Sequence, residues 1–162
     1  MVKVLFVCLG NICRSPLAEG VLKKLVKEKG LEDEIEVDSC GTSKYHIGEQ
    51  PDERTIANAK SNGIELNHKA RQFEKGDFRK FTYLITMDEA NKNCIERIDE
   101  TKEFTDKMML MRFFDETDKN ADVPDPYFGG ADGFQKVYDI IDRSVNNLLD
   151  WLIKKHDLEV KA

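Results

Sequence analysis

The chain has 162 residues, enough for a single domain that buries a core without disulfide or metal staples. Hydrophobic residues make up 40% and charged residues 35%, which excludes a disordered chain. The net charge of −6 excludes a general nucleic-acid binder, because phosphate backbones select positive surfaces. An anion site here has to be built locally.

Val2–Val7 is nearly all apolar and β-branched or aromatic, the pattern of a strand covered on both faces. Its apolar run of about seven residues leads into Asn11 and Arg14 rather than a small-residue cleavage site, so it is read as a buried strand and not a leader. Residues 16–29 switch to helical period, with Leu17, Ala18, Val21, Leu22 and Leu25 on one face. Lys23, Lys24, Lys27 and Glu28 form the solvated face opposite. Ser15 stands where an N-cap belongs, Pro16 suits the first helical position and Gly30 the stop.

A strand follows over Ile35–Ser39, ending at Cys40-Gly41-Thr42, then a helix over 52–62 closed by Gly63. Phe81–Met87 predicts a third strand, with Asp88 capping a helix that runs to Ile98. Met108–Phe114 predicts a fourth strand. Beyond the polar stretch Asp115–Pro126 a long helix covers Phe134–Ile153, its buried stripe formed by Phe134, Val137, Ile141, Val145, Leu148 and Leu152. Strands alternating with helices predict an α/β fold: one doubly wound domain over residues 1–162, a parallel sheet with helices on both faces. Ligands of such sheets bind beyond the carboxyl ends of the strands. Residues 8, 41 and 88 and the stretch DVPDPYFGG should therefore meet in one crevice.

No segment approaches the ~18 apolar residues of a membrane span. Cys8, Cys13, Cys40 and Cys94 form no disulfide framework and no C-x-x-C pair, and His46, His68 and His156 show no metal-ligand spacing. The expectation is a cytoplasmic, monomeric protein with reduced thiols, no metal and no cofactor.

Between the first strand and its helix runs Cys8-Leu9-Gly10-Asn11-Ile12-Cys13-Arg14-Ser15. Attack on a phosphate monoester needs an ionised nucleophile, donors for the phosphoryl oxygens and a fixed position for both. A loop opening a helix supplies backbone N–H groups and the positive dipole end. The same field favours the thiolate form of a cysteine placed there. Gly10 allows a positive φ or a close approach, and Asn11 is the next best residue for a left-handed conformation. Arg14 offers a planar fork for two phosphoryl oxygens, and Ser15 can donate to the thiolate. A Cys with Arg six positions on is a weak signal, but requiring Gly, Asn and Ser in place lowers its chance occurrence by roughly three orders of magnitude. Asp125, held between Pro124 and Pro126, is the candidate proton donor to a leaving oxygen. Tyr45, Tyr127 and Phe128 are candidate walls of an aromatic slot.

CLGNICRSP near the start and DPY far downstream resemble the low-molecular-weight protein tyrosine phosphatase family, as do DSCGTSKYHIGEQPDER, GIELNHKARQF and DPYFGG. The resemblance implies a four-stranded parallel sheet, metal-free catalysis and phosphotyrosine-containing proteins as partners, with phosphate as product. Position by position it implies Cys8 as nucleophile, Arg14 as phosphate-binding arginine and Asp125 as general acid. Leu9, Gly10, Asn11, Ile12, Cys13 and Ser15 complete the substrate loop, His68 supports Asn11, and Asp88 contacts the loop arginine or simply caps its helix. The chain departs from many members at Phe128, Cys40 and Tyr45.

Three other readings compete. A thiol-linked arsenate reductase needs a closely spaced relay pair, which Cys40 and Cys94 do not provide. Protein arginine phosphatases of similar sequence tend to carry Thr where this chain has Ile12. A binding module for phosphate or a nucleotide leaves the Cys–Arg–Asp set unexplained. A loop that curls round one phosphate also brings Cys8 near Cys13, so peroxide is expected to give a reversible Cys8–Cys13 disulfide.

Overall fold

The structure, a computed structural model, describes residues 1–127 and 129–161. Strand β1 (Val2–Cys8) leads through the Cys8–Arg14 loop into α1 (Arg14–Glu28), followed by β2 (Ile35–Gly41) and α2 (Glu53–Ser61). A single turn, α3 (Asp77–Lys80), precedes β3 (Tyr83–Thr86) and α4 (Glu89–Ile98). The short β4 (Met108–Leu110) and the long α5 (Ala131–Lys155) complete the order. All pairings are parallel, in the order β2-β1-β3-β4. The four-stranded α/β sheet is therefore as the sequence predicts.

β1 sits in the middle, and its alternation sorts the two cores. Val4, Phe6 and Cys8 face α1 and α5, packing with Leu17, Leu22, Ile141 and Leu148. Leu5 and Val7 face the opposite layer with Phe78, Leu84 and Ile95. Such period-two division of a wholly apolar strand is what burial on both faces requires. Among the described residues, no helix is long and apolar enough to cross a membrane.

Several boundaries differ from the sequence-based expectation, including that of α5, which starts at Ala131 and not Phe134. Helix α1 begins at Arg14, so Ser15 is inside the first turn and not its N-cap, and its hydroxyl is turned toward Cys8 instead. The third strand covers only Tyr83–Thr86, because Phe81 closes α3. The predicted fourth strand stops at Leu110, and Met111–Phe114 forms a 3₁₀ turn. Met111 and Phe114 are buried while Phe113 is exposed, a spacing of three that suits 3₁₀ geometry and defeats strand alternation. That turn is fixed by Asp115, whose buried carboxylate accepts from Arg143 on α5 (2.8 and 3.0 Å) and from Arg112 (2.9 Å). The Arg143 contacts, chiefly, hold its carboxyl well below the usual carboxylate range.

Candidate active site

The Cys8–Arg14 loop is folded by contacts with its neighbours in the sheet. The backbone N–H groups of Thr42 and Ser43 donate to the Cys8 and Leu9 carbonyls at 2.9 and 3.0 Å, and Asp52 donates to Ile12 at 2.8 Å. Gly41 makes the approach possible, because a Cβ there would lie 2.7 Å from the Leu9 carbonyl oxygen. The left-handed position in the loop is Asn11, with φ 58°, not Gly10. Gly10 instead gives space to the His46 ring, which a Cβ would approach to 3.1 Å.

The conformation of Asn11 is held by its side chain. Its amide donates to Ser15 Oγ (2.7 Å) and Ser39 Oγ (3.0 Å), while Oδ1 accepts from the Arg71 N–H (3.0 Å) and meets His68 Nε2 at 2.7 Å. Asn11 and Ser15 therefore lie behind the loop, and their side chains are not part of the cavity wall. Because Ser15 Oγ already accepts from Asn11, its own proton is available to Cys8 Sγ at 2.9 Å or the Cys40 carbonyl at 3.3 Å. The Asn11 N–H donates to the same sulfur at 3.3 Å. The Ser15 hydroxyl and the Asn11 N–H thus both face the Cys8 sulfur.

His68 closes the network from the far side. Its Nδ1 lies 3.1 Å from Glu19 Oε1 and 3.9 Å from Asp38 Oδ1. Burial lowers the imidazole from its ordinary value, with the Glu19 and Asp38 carboxylates opposing. The hydrogen-bond pattern favours their side of that balance, since both ring nitrogens face acceptors and only the doubly protonated ring serves both. The donor atoms of Glu19, Asp38 and His68 lie within 4.8 Å of one another, a spacing compatible with a metal ion. They are already engaged by Ser39, Lys23, Asn11 and Arg71.

Arg14 is buried and oriented from two sides. Nη1 donates to Asp88 Oδ2 at 2.6 Å and to the Val123 carbonyl at 2.9 Å, and Nη2 lies 3.5 Å from Asp125 Oδ2. Asp88 also caps α4, accepting from Asn91 N–H at 2.7 Å, so one carboxylate does both things considered from sequence. Burial opposes the guanidinium's charge, but Cys8 and Asp88 more than offset it and the pKa is raised. Asp125 Oδ1 accepts from the Tyr127 N–H at 3.0 Å, which orients the carboxylate toward Arg14.

These groups line a cavity of about 200 Å³. Cys8, Leu9, Gly10, Ile12, Cys13 and Arg14 of the loop line it, together with Tyr45, Asp125 and Tyr127. Cys8 is only 2% exposed, so it is reached from the cavity alone. Phe128, the remaining candidate from the sequence, lies outside the described residues. Sequence reasoning missed Ser43 and His46, which also line the cavity. Both come from the irregular segment after β2, where no periodicity marks a side chain as inward. A larger groove of about 510 Å³ runs between α1 and residues 63–68, but no cysteine lines it. Cys13, beside Cys8 in the active cavity, has its thiol pushed up to about 12 by burial, with the Thr55 hydroxyl opposing.

The arrangement places a thiol, a guanidinium fork and a carboxyl group around one small hollow. Comparison with known proteins shows what the chain is similar to. The family model for low molecular weight phosphotyrosine protein phosphatase matches residues 3–158. A protein of that name from Schizosaccharomyces pombe is 43% identical over 149 residues, covering 91% of this chain and 95% of the relative. The crystal structure of a protein tyrosine phosphatase from Entamoeba histolytica superposes with a TM-score of 0.89 at 38% identity, covering 98% and 100% of the two chains. A Drosophila arginine phosphatase also superposes, with a TM-score of 0.84 at 34% identity over 93% and 97%.

Proposed function

From a chain that belongs to the low molecular weight phosphotyrosine protein phosphatase family, we propose an enzyme that hydrolyses phosphotyrosine in proteins through a phosphocysteine on Cys8. The observation that carries the proposal is the convergence of Cys8, Arg14 and Asp125 on one cavity walled by Leu9, Ile12, Tyr45 and Tyr127. The Cys8 sulfur attacks phosphorus, the S–P bond forms and the bond to the tyrosine oxygen breaks. Asp125 gives its proton to that oxygen. Arg14 and the loop amides hold the equatorial oxygens as charge spreads over them. Water then attacks phosphorus, Asp125 takes a proton from it, and Cys8 leaves as thiolate. The loop and Arg14 neutralise the phosphoryl charge, so the reaction needs no metal.

Ile12 separates this substrate from the phosphoarginine alternative. An apolar side chain suits the face of a phenyl ring, whereas a guanidinium needs acceptors that Ile12 lacks. Phosphate release from matched peptides, without added metal, should be fastest for phosphotyrosine and much slower for phosphoserine and phosphoarginine. Ile12→Thr should move the balance toward phosphoarginine. A wild-type preference for phosphoarginine would contradict the proposed substrate.

Cys13 gives the site a redox partner. Peroxide converts Cys8 to a sulfenic acid and is itself reduced to water; the Cys13 sulfur then displaces hydroxide from Cys8 to form a disulfide. Cys40 is less suited, because it packs with Val7 on the opposite face of the sheet from Cys8. With its pKa raised, the Cys13 thiolate fraction grows roughly tenfold per pH unit across neutrality, so disulfide closure should accelerate with pH. Peroxide inactivation should be reversed by dithiothreitol in the wild type, and Cys13→Ser should make it largely irreversible. Peptide mapping that links Cys8 to Cys40 or Cys94 would refute the pairing.

A further inference from the structure

Arg54 stands at the start of α2, outside the cavity lining, yet it joins the two loops that carry the chemistry. Its Nε and Nη2 donate to both Asp52 carboxylate oxygens at 3.0 and 2.9 Å, a bidentate pairing. Asp52 in turn donates its own backbone N–H to the Ile12 carbonyl, which ties this pair to the Cys8–Arg14 loop. On the other side, Arg54 Nη2 donates to the Tyr127 carbonyl at 3.0 Å. The guanidinium lies 4.8 Å from the Phe134 ring centroid and 5.5 Å from that of Tyr127, within range of cation–π attraction to both. The Tyr127 N–H is the donor that orients Asp125.

We infer that Arg54 is a positioning residue for the general acid, fixing the Asp125 carboxylate relative to the phosphate-binding loop through the backbone of Tyr127, whose carbonyl it holds and whose N–H meets Asp125. The inference rests on the proposed role of Asp125. Asp125 and Tyr127 belong to the segment between the 3₁₀ turn and α5, which is anchored upstream where Val123 N–H donates to the Met87 carbonyl at 2.8 Å. Arg54 supplies an anchor downstream of Asp125. Without it, the Tyr127 backbone can move, and with it the hydrogen bond that aims the carboxylate. Proton transfer depends on reach, so small displacements of the acid slow only the step that uses it. A lysine keeps the charge but not the fork that holds Asp52 and Tyr127 together.

The test is kcat/KM for a series of aryl phosphates of increasing leaving-group acidity, measured on wild type, Arg54→Ala, Arg54→Lys, Asp125→Ala and the Arg54→Ala/Asp125→Ala double variant. This parameter reports phosphoryl transfer to the enzyme, in which the leaving group needs its proton. Arg54→Ala should lose about tenfold on phenyl phosphate and under about twofold on 2,4-dinitrophenyl phosphate, with Arg54→Lys close behind it. In the Asp125→Ala background the same change should cost nothing further, because the acid it positions is gone. Little change in thermal melting of Arg54→Ala is expected, as the side chain is about half exposed. An equal loss across leaving groups, or the same loss with and without Asp125, would overturn the inference. If Asp125→Ala itself shows no dependence on the leaving group, it is the role of Asp125 that fails.

Discussion

Cys8→Ser is expected to leave a folded, phosphate-binding protein whose turnover falls by about 10⁴-fold or more. A thiol ionises far more readily than an alcohol, whose proton is retained at neutral pH in the absence of an adjacent base. Among the described residues, the hydrogen-bond partners of the sulfur are the Ser15 hydroxyl and the Asn11 N–H, and neither is a base that could take a proton from a serine. The fold should survive because the hydroxyl is smaller than the thiol and keeps the same two donors. Phosphate should still bind, since Arg14 and the loop amides are unchanged. Differential scanning fluorimetry with and without phosphate, beside turnover of a phosphotyrosine peptide, checks all three. Substantial residual turnover would remove Cys8 from the nucleophile's place.

Asp125→Ala should lower kcat by roughly 10²–10⁴-fold on phosphotyrosine. The two chemical steps respond differently. Formation of the phosphocysteine needs a proton on the leaving oxygen, so the loss in kcat/KM should shrink as the leaving phenol becomes more acidic. Hydrolysis of the intermediate no longer contains the leaving group, and its slowing should be the same for every substrate. Asp125 lies 3.5 Å from Arg14 in the free site, close enough that its removal also deletes a neighbouring negative charge. Phosphate should therefore bind the variant at least as tightly as wild type, since an anion no longer competes with a carboxylate for Arg14. A uniform loss in kcat/KM across leaving groups would mean that Asp125 only supports its loop.

The sheet and the reactive loop were legible in the sequence because each leaves a local trace. Val2–Val7 is apolar throughout, the helix after Arg14 has a clear stripe, and Cys8, Asn11, Arg14 and Ser15 fall within eight consecutive positions. Asp88 was legible as a cap, and its contact with Arg14 follows from the loop after β1 and the tip of β3 lying beyond the carboxyl ends of neighbouring parallel strands. The 3₁₀ turn at Met111–Phe114 was not, because an apolar run read without its partners looks like a strand. His46 was not, since an irregular segment gives no period from which to infer direction. Arg54 was the least visible: it meets Tyr127 across 73 positions of sequence, and its neighbours Asp52 and Glu53 suggest nothing beyond a helix start. Ser15 shows the opposite error, a good capping residue that lies two positions past the N-cap, with its hydroxyl turned to the Cys8 sulfur.

The phosphocysteine itself is the most direct measurement. Protein mixed with a phosphotyrosine peptide, quenched in acid during turnover and mapped by mass spectrometry, should carry phosphate on the sulfur of Cys8. The fraction trapped should rise in Asp125→Ala with an acidic aryl phosphate, where hydrolysis is slowed more than formation, and no such adduct should form in Cys8→Ser. Phosphate found on another side chain, or steady turnover in wild type and Asp125→Ala with no phosphorylated Cys8 at any quench time, would contradict the account.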